Sequence, residues 1–78
     1  MIYTILFFTH SGAIKFDRTC KKNNIICELM PVPRILSSNC SVSAKIDYDD
    51  EIMNLIDDEI EKIFLTQDNN NAVVYEAE

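Results

Sequence analysis

Apolar residues fall along this chain in blocks that change period. Residues Ile2 to Thr9 are almost uniformly apolar, rich in Ile, Leu, Phe, Tyr and Thr. Such a run suits a strand buried on both faces, hence central in a sheet. A polar break, Thr9-His10-Ser11-Gly12, follows, with Thr9 or Ser11 as a helix cap. Ala13, Phe16 and Cys20 then recur at helical spacing, and Lys15, Arg18 and Lys22 fall elsewhere on the helix. Asn23-Asn24 closes that helix, because Asn tolerates the left-handed conformation of a helix end.

Ile25 to Met30 reads as a second strand, ended by Pro31-Val-Pro33, because Pro cannot donate to a ladder. Arg34 to Cys40 is a polar loop. Ser41 to Asp47 alternates as a half-exposed strand does: Val42, Ala44 and Ile46 face one way, and Ser41, Ser43, Lys45 and Asp47 the other. Asp49 and Asp50 suit a helix start. Ile52, Leu55, Ile56, Ile60, Ile63 and Phe64 form the clearest amphipathic stripe in the chain, predicting a second helix. Gln67 to Asn71 reads as a loop and Ala72 to Ala77 as a last strand. The expected order is β-α-β-β-α-β. That implies an α+β, ferredoxin-like domain: an antiparallel sheet with two helices on one face, and the first and third strands as its central pair.

Length agrees with one small domain over residues 1–78. The net charge is −6, which repels phosphate backbones and argues against nucleic acid as a partner. Lys21-Lys22, with Arg18 upstream, reads as a solvated helix face. The apolar start has no basic flank and is far shorter than the ~20 residues of a membrane helix. A cytoplasmic protein without membrane association is therefore expected, with Cys20, Cys27 and Cys40 as thiols.

The expected topology places the Thr9–Gly12 turn and the Pro31–Cys40 loop at one end of the sheet. Cys40 then lies near His10 and near the positive end of the first helix, and both favour a thiolate. Arg34 adds a positive charge to the same loop, and Ser37 and Ser38 add hydrogen-bond donors. Cys20 and Cys27 sit at core-type positions, with a weak case for Cys27 as a resolving thiol. The acidic run Asp47, Asp49, Asp50, Glu51 matches no Ca²⁺ loop, and one His with no C-x-x-C pair gives no zinc pattern. No Gly-rich phosphate loop appears, so neither metal nor cofactor is expected.

The run Met30-Pro-Val-Pro-Arg-Ile-Leu-Ser-Ser-Asn-Cys40 resembles the signature of a bacterial family of small selenium/sulfur carrier-like proteins. The Thr9-His10 turn is also similar to that family's pattern, and the resemblance extends from about Tyr3 to about Tyr75. It implies a persulfide or selenopersulfide held on Cys40, with Arg34, Ser37 and Ser38 shaping the loop. The implied partners are proteins that donate and accept the sulfur or selenium. One departure is that Ser41 stands where the family usually has Gly. Such a carrier is consumed and regenerated stoichiometrically, which argues against a true enzyme. Two other classes compete with it: a regulatory ligand-binding module, dimeric with sites between subunits, and an interaction subunit using a sheet edge.

Overall fold

The structure, a computed structural model, describes residues 1–36 and 40–78. Five strands form one antiparallel sheet: β1 (Ile2–Phe7), β2 (Ile26–Pro31), β3 (Val42–Asp47), β4 (Ile60–Gln67) and β5 (Asn70–Glu76). Their order across the sheet is β2-β3-β1-β4-β5. One helix, α1 (His10–Lys22), crosses between β1 and β2, and a single 3-10 turn (Ile52–Leu55) precedes β4.

β1 is the middle strand and its residues Tyr3 to Phe7 are all buried, as a continuous apolar run requires. It pairs with β3 on one side, with Leu6 opposite Ser43, and with β4 on the other, with Ile5 opposite Ile63. Tyr3, Ile5 and Phe7 point to the face that α1 covers. There they join Ala13, Phe16 and Cys20 of the helix, Ala44 and Ile46 of β3, and Ile63 of β4. Phe7 and Phe16 pack with ring centroids 5.4 Å apart. Each such side chain, fully buried, contributes roughly 1.5–3 kcal/mol of burial free energy.

The helix begins where the polar break predicts. The Thr9 hydroxyl caps it, accepting the Gly12 N–H at 3.0 Å. It ends at Asn23, and Asn24 takes the left-handed conformation with φ 57°. β2 lies at the sheet edge, where Pro31 can close the strand without breaking an interior ladder.

The expected ferredoxin-like β-α-β-β-α-β fold with two helices is not the fold observed. Among the described residues there are one helix and five strands, and the sheet order is not ferredoxin-like. The stripe from Ile52 to Phe64 divides between the 3-10 turn and β4. Two causes are visible, one local and one tertiary. The Asp57 carboxylate accepts the Glu59 N–H at 2.9 Å, and its carbonyl accepts the Ile60 N–H, making a turn that competes with a helix. Beyond it, β4 satisfies the second hydrogen-bonding edge of β1, which would otherwise be buried without partners. A bulge at Glu61, where Leu6 pairs with Lys62 but Phe7 with Ile60, lets the apolar side chains at Ile60, Ile63 and Phe64 fit a strand as readily as a helical stripe.

The polar stretch 67–71 is a tight hairpin rather than a loop. Asp68 and Asn69 turn the chain with φ of 50° and 67°, the signature of a type I′ turn. Ser43, expected to face solvent, is fully buried; its hydroxyl donates to the carbonyls of Met30 and Pro31. On that same face the Thr66 hydroxyl donates to Asn71, so its contact with Thr4 at 2.8 Å has Thr4 as donor.

Candidate functional site

Antiparallel pairing fixes which segments meet. The end of β1, the start of α1, the end of β2 and the start of β3 all lie at one end of the sheet. The start of β4 lies there too, because Phe7 pairs with Ile60. The loop between β2 and β3 is closed at its neck by the Val32 N–H donating to the Ser41 carbonyl at 3.1 Å. Within it, the Leu36 N–H donates to the Pro33 carbonyl, forming a turn with Arg34 and Ile35 at its tip.

Cys40 sits at the far side of that loop and is 5% exposed. The Val42 N–H donates to its sulfur at 3.4 Å, so a donor is in place for negative charge on that atom. His10, the first residue of α1, is exposed, and its Nε2 lies 3.0 Å from the Ser41 hydroxyl. The helix start and the Cys40 segment therefore meet, as the topology argument requires. Arg34 is exposed on its turn, at the same end of the sheet. Ser37 and Ser38, expected to shape the loop, lie outside the described residues.

Ser41 bears on the departure noted in the sequence. Its backbone is not left-handed, the positive-φ positions among described residues being Asn24, Asp68 and Asn69. No glycine is needed at this position, and the hydroxyl that Ser41 adds is the one that contacts His10.

A residue the sequence reading passed over completes this end. Glu59 accepts the Thr9 hydroxyl at 2.9 Å through Oε2, and its carbonyl accepts the Phe8 N–H at 3.0 Å. Its carboxylate thus lies against the positive end of α1. Gly12 makes room for it: a Cβ at Gly12 would fall 2.6 Å from Glu59 Oε2 and 2.7 Å from its Cβ. The chain's only glycine, placed inside a helix, was the signal available in the sequence.

Cys20 and Cys27 both have raised pKa values. Burial is the first cause for both, pushing Cys20 upward and Cys27 up to about 12; their mutual contact and the nearby Asp17 carboxylate add to the effect at Cys27. Cys27 pairs with Ile46, four residues along the ladder from the Pro31–Val42 pair. That is about 13 Å from the level of Val42, whose N–H bonds the Cys40 sulfur, so Cys27 is not positioned as a resolving thiol. None of the three cysteines is in a disulfide. Among the described residues no group of three or more His, Cys, Asp or Glu is placed to hold a metal ion. Nor is any helix among the described residues long and apolar enough to cross a membrane.

A small sheet protein with a thiol in a loop clamped to a helix start is the class these features define. A family model described as "Putative Se/S carrier protein-like" matches residues 2–66, and the chain belongs to that family. No curated protein and no solved structure matches it significantly.

Proposed function

We propose that this protein carries sulfur or selenium on Cys40, taking it from a donor protein and passing it to an acceptor. The observation that carries the reading is the position of Cys40. It lies in the loop between β2 and β3, with a backbone N–H at its sulfur and the His10–Ser41 contact beside it. Family membership supports the chemistry, and the Val42 N–H at the Cys40 sulfur, beside the start of α1, supports the choice of thiol.

The reaction is exchange at a chalcogen. The Cys40 thiolate attacks the terminal sulfur of a donor persulfide. The S–S bond of the donor breaks, and the donor cysteine leaves as its thiolate. Cys40 now bears the persulfide. An acceptor nucleophile then attacks that terminal atom, and the Cys40 thiolate leaves. The same steps apply with selenium as the terminal atom, and neither transfer changes the overall oxidation level. Because Cys40 is 5% exposed, a partner reaches the sulfur only by displacing some of what covers it.

The test is loading with a small persulfide donor followed by peptide mass analysis. One added sulfur on the Cys40 peptide, absent in Cys40→Ser and absent from the Cys20 and Cys27 peptides, is the expected result. Equal loading of all three cysteines, or none, removes the proposal.

A further inference from the structure

Charge is unevenly distributed over this acidic protein. Helix α1 holds four of its seven cations, Lys15, Arg18, Lys21 and Lys22, and only one of its thirteen acids, Asp17. Lys21 is paired with Asp17. Lys15, Arg18 and Lys22 take part in no ion pair among the described residues. The rest of the chain carries three cations against twelve acids.

The unpaired cations share a surface. Ser11, Lys15, Arg18 and Lys22 recur at steps of four, three and four, which places them in one row along the helix. The buried stripe of Gly12, Ala13, Phe16 and Cys20 lies on the opposite side. The row lines a shallow groove together with Thr19 and Ile14, and Ile14 is 48% exposed among the charges. It extends about 16 Å from its first residue to its last. Its first residue, Ser11, follows His10, which contacts Ser41 beside Cys40.

We infer that this face of α1 is the docking surface for an acidic face of a partner protein, with Ile14 as its apolar anchor. The inference rests on the carrier reading for the partner's purpose: lying along α1 and projecting past its start, the partner arrives at the Cys40 end. The protein's own charge makes the contact selective. Twelve acids elsewhere repel an acidic partner from other approaches, so the row on α1 is the face that admits it. Nucleic acid is the other polyanion such a row could meet. The exposed aliphatic Ile14 in its middle, and the absence of aromatic side chains from the groove, favour protein.

The probe is an amphipathic helical peptide of Glu and Leu, titrated into isotopically labelled protein and followed by amide chemical shifts. Saturable shifts confined to residues 11–22 and the Cys40 end are expected, weakening with added salt. K15E/R18E should weaken binding by ~10-fold or more, whereas K45E/K62E, which changes net charge equally, should weaken it less than ~3-fold. K15Q/R18Q serves the same comparison if the reversal variant does not fold. Equal weakening by both pairs, no saturable binding, or tighter binding to a DNA duplex or to phosphatidylglycerol vesicles would overturn the inference. The readout does not use Cys40. Peptide binding without persulfide loading therefore removes only the carrier reading, and loading without binding removes only the docking surface.

Discussion

His10 and Ser41, thirty-one residues apart in sequence, meet with imidazole Nε2 and hydroxyl Oγ at 3.0 Å. The contact ties the first turn of α1 to the residue following Cys40. It sits on a loop whose neck is already closed by the Val32–Ser41 backbone hydrogen bond. Loosening this clamp is expected to open the Cys40 segment.

A side-chain hydrogen bond of this kind contributes about 0.5–1.5 kcal/mol, equivalent to a roughly 2- to 12-fold shift between closed and open forms. His10→Ala and Ser41→Ala should each raise the alkylation rate of Cys40 within that range. The double variant should add little, because both remove one interaction. Iodoacetamide kinetics with peptide mass analysis reads this directly. Unchanged rates in both single variants would show that the clamp does not govern access.

Gly12→Ala should destabilise the fold although Ala is the better helix former. The added methyl meets Glu59 Oε2 at 2.6 Å and Glu59 Cβ at 2.7 Å, and the second atom cannot swing aside. Overpacking of ~1–3 kcal/mol outweighs a propensity gain of at most ~1 kcal/mol. In a Glu59→Gly background the same substitution should stabilise instead. Urea unfolding of the four proteins gives the cycle; a destabilising effect in both backgrounds would place the cause elsewhere.

Stability should fall in alkaline solution partly through Cys27. Its folded-state value is raised from 9.0 to about 12, chiefly by burial, so between those values the unfolded chain binds fewer protons than the native one. The slope of stability against pH is then negative: the contribution is complete below about 9 and is lost as pH rises towards about 12. Cys27→Ala should flatten this slope relative to wild type, as followed by urea midpoints from pH 7 to 11. Parallel curves would mean that Cys27 does not report on folding.

At the β4–β5 hairpin, Asn69 holds φ at 67°. Asn69→Ala should cost about 1 kcal/mol, because a Cβ without a compensating polar group disfavours the left-handed region. Asn69→Gly should cost nothing measurable. Thermal midpoints of the two variants test the turn; equal losses would contradict it.

Most of the local structure could be read from the sequence because it is decided locally. Ile2 to Phe7 is too apolar for any place but the middle of the sheet, and β1 is there. Thr9 and Asn23-Asn24 mark the ends of α1 through side-chain and backbone preferences of single residues. Cys40 and His10 could be brought to one end by strand direction alone. The stripe from Ile52 to Phe64 misled because its spacing satisfies a helix, while the outcome depended on the open edge of β1, which no local pattern displays. Ser43 was misjudged for a related reason: alternation tells which face a residue takes, not whether that face is covered.

By itself, then, the sequence determined four of the five strands, α1 with its caps, the acidic balance, and the place of Cys40 between β2 and β3. Tertiary structure alone decided that residues 60–67 pair with β1, that Glu59 rather than solvent meets the start of α1, and that Ser41 answers His10. The division is physical. Propensities and caps act over a few residues, whereas the need to satisfy a buried strand edge or carboxylate is settled by partners tens of residues away.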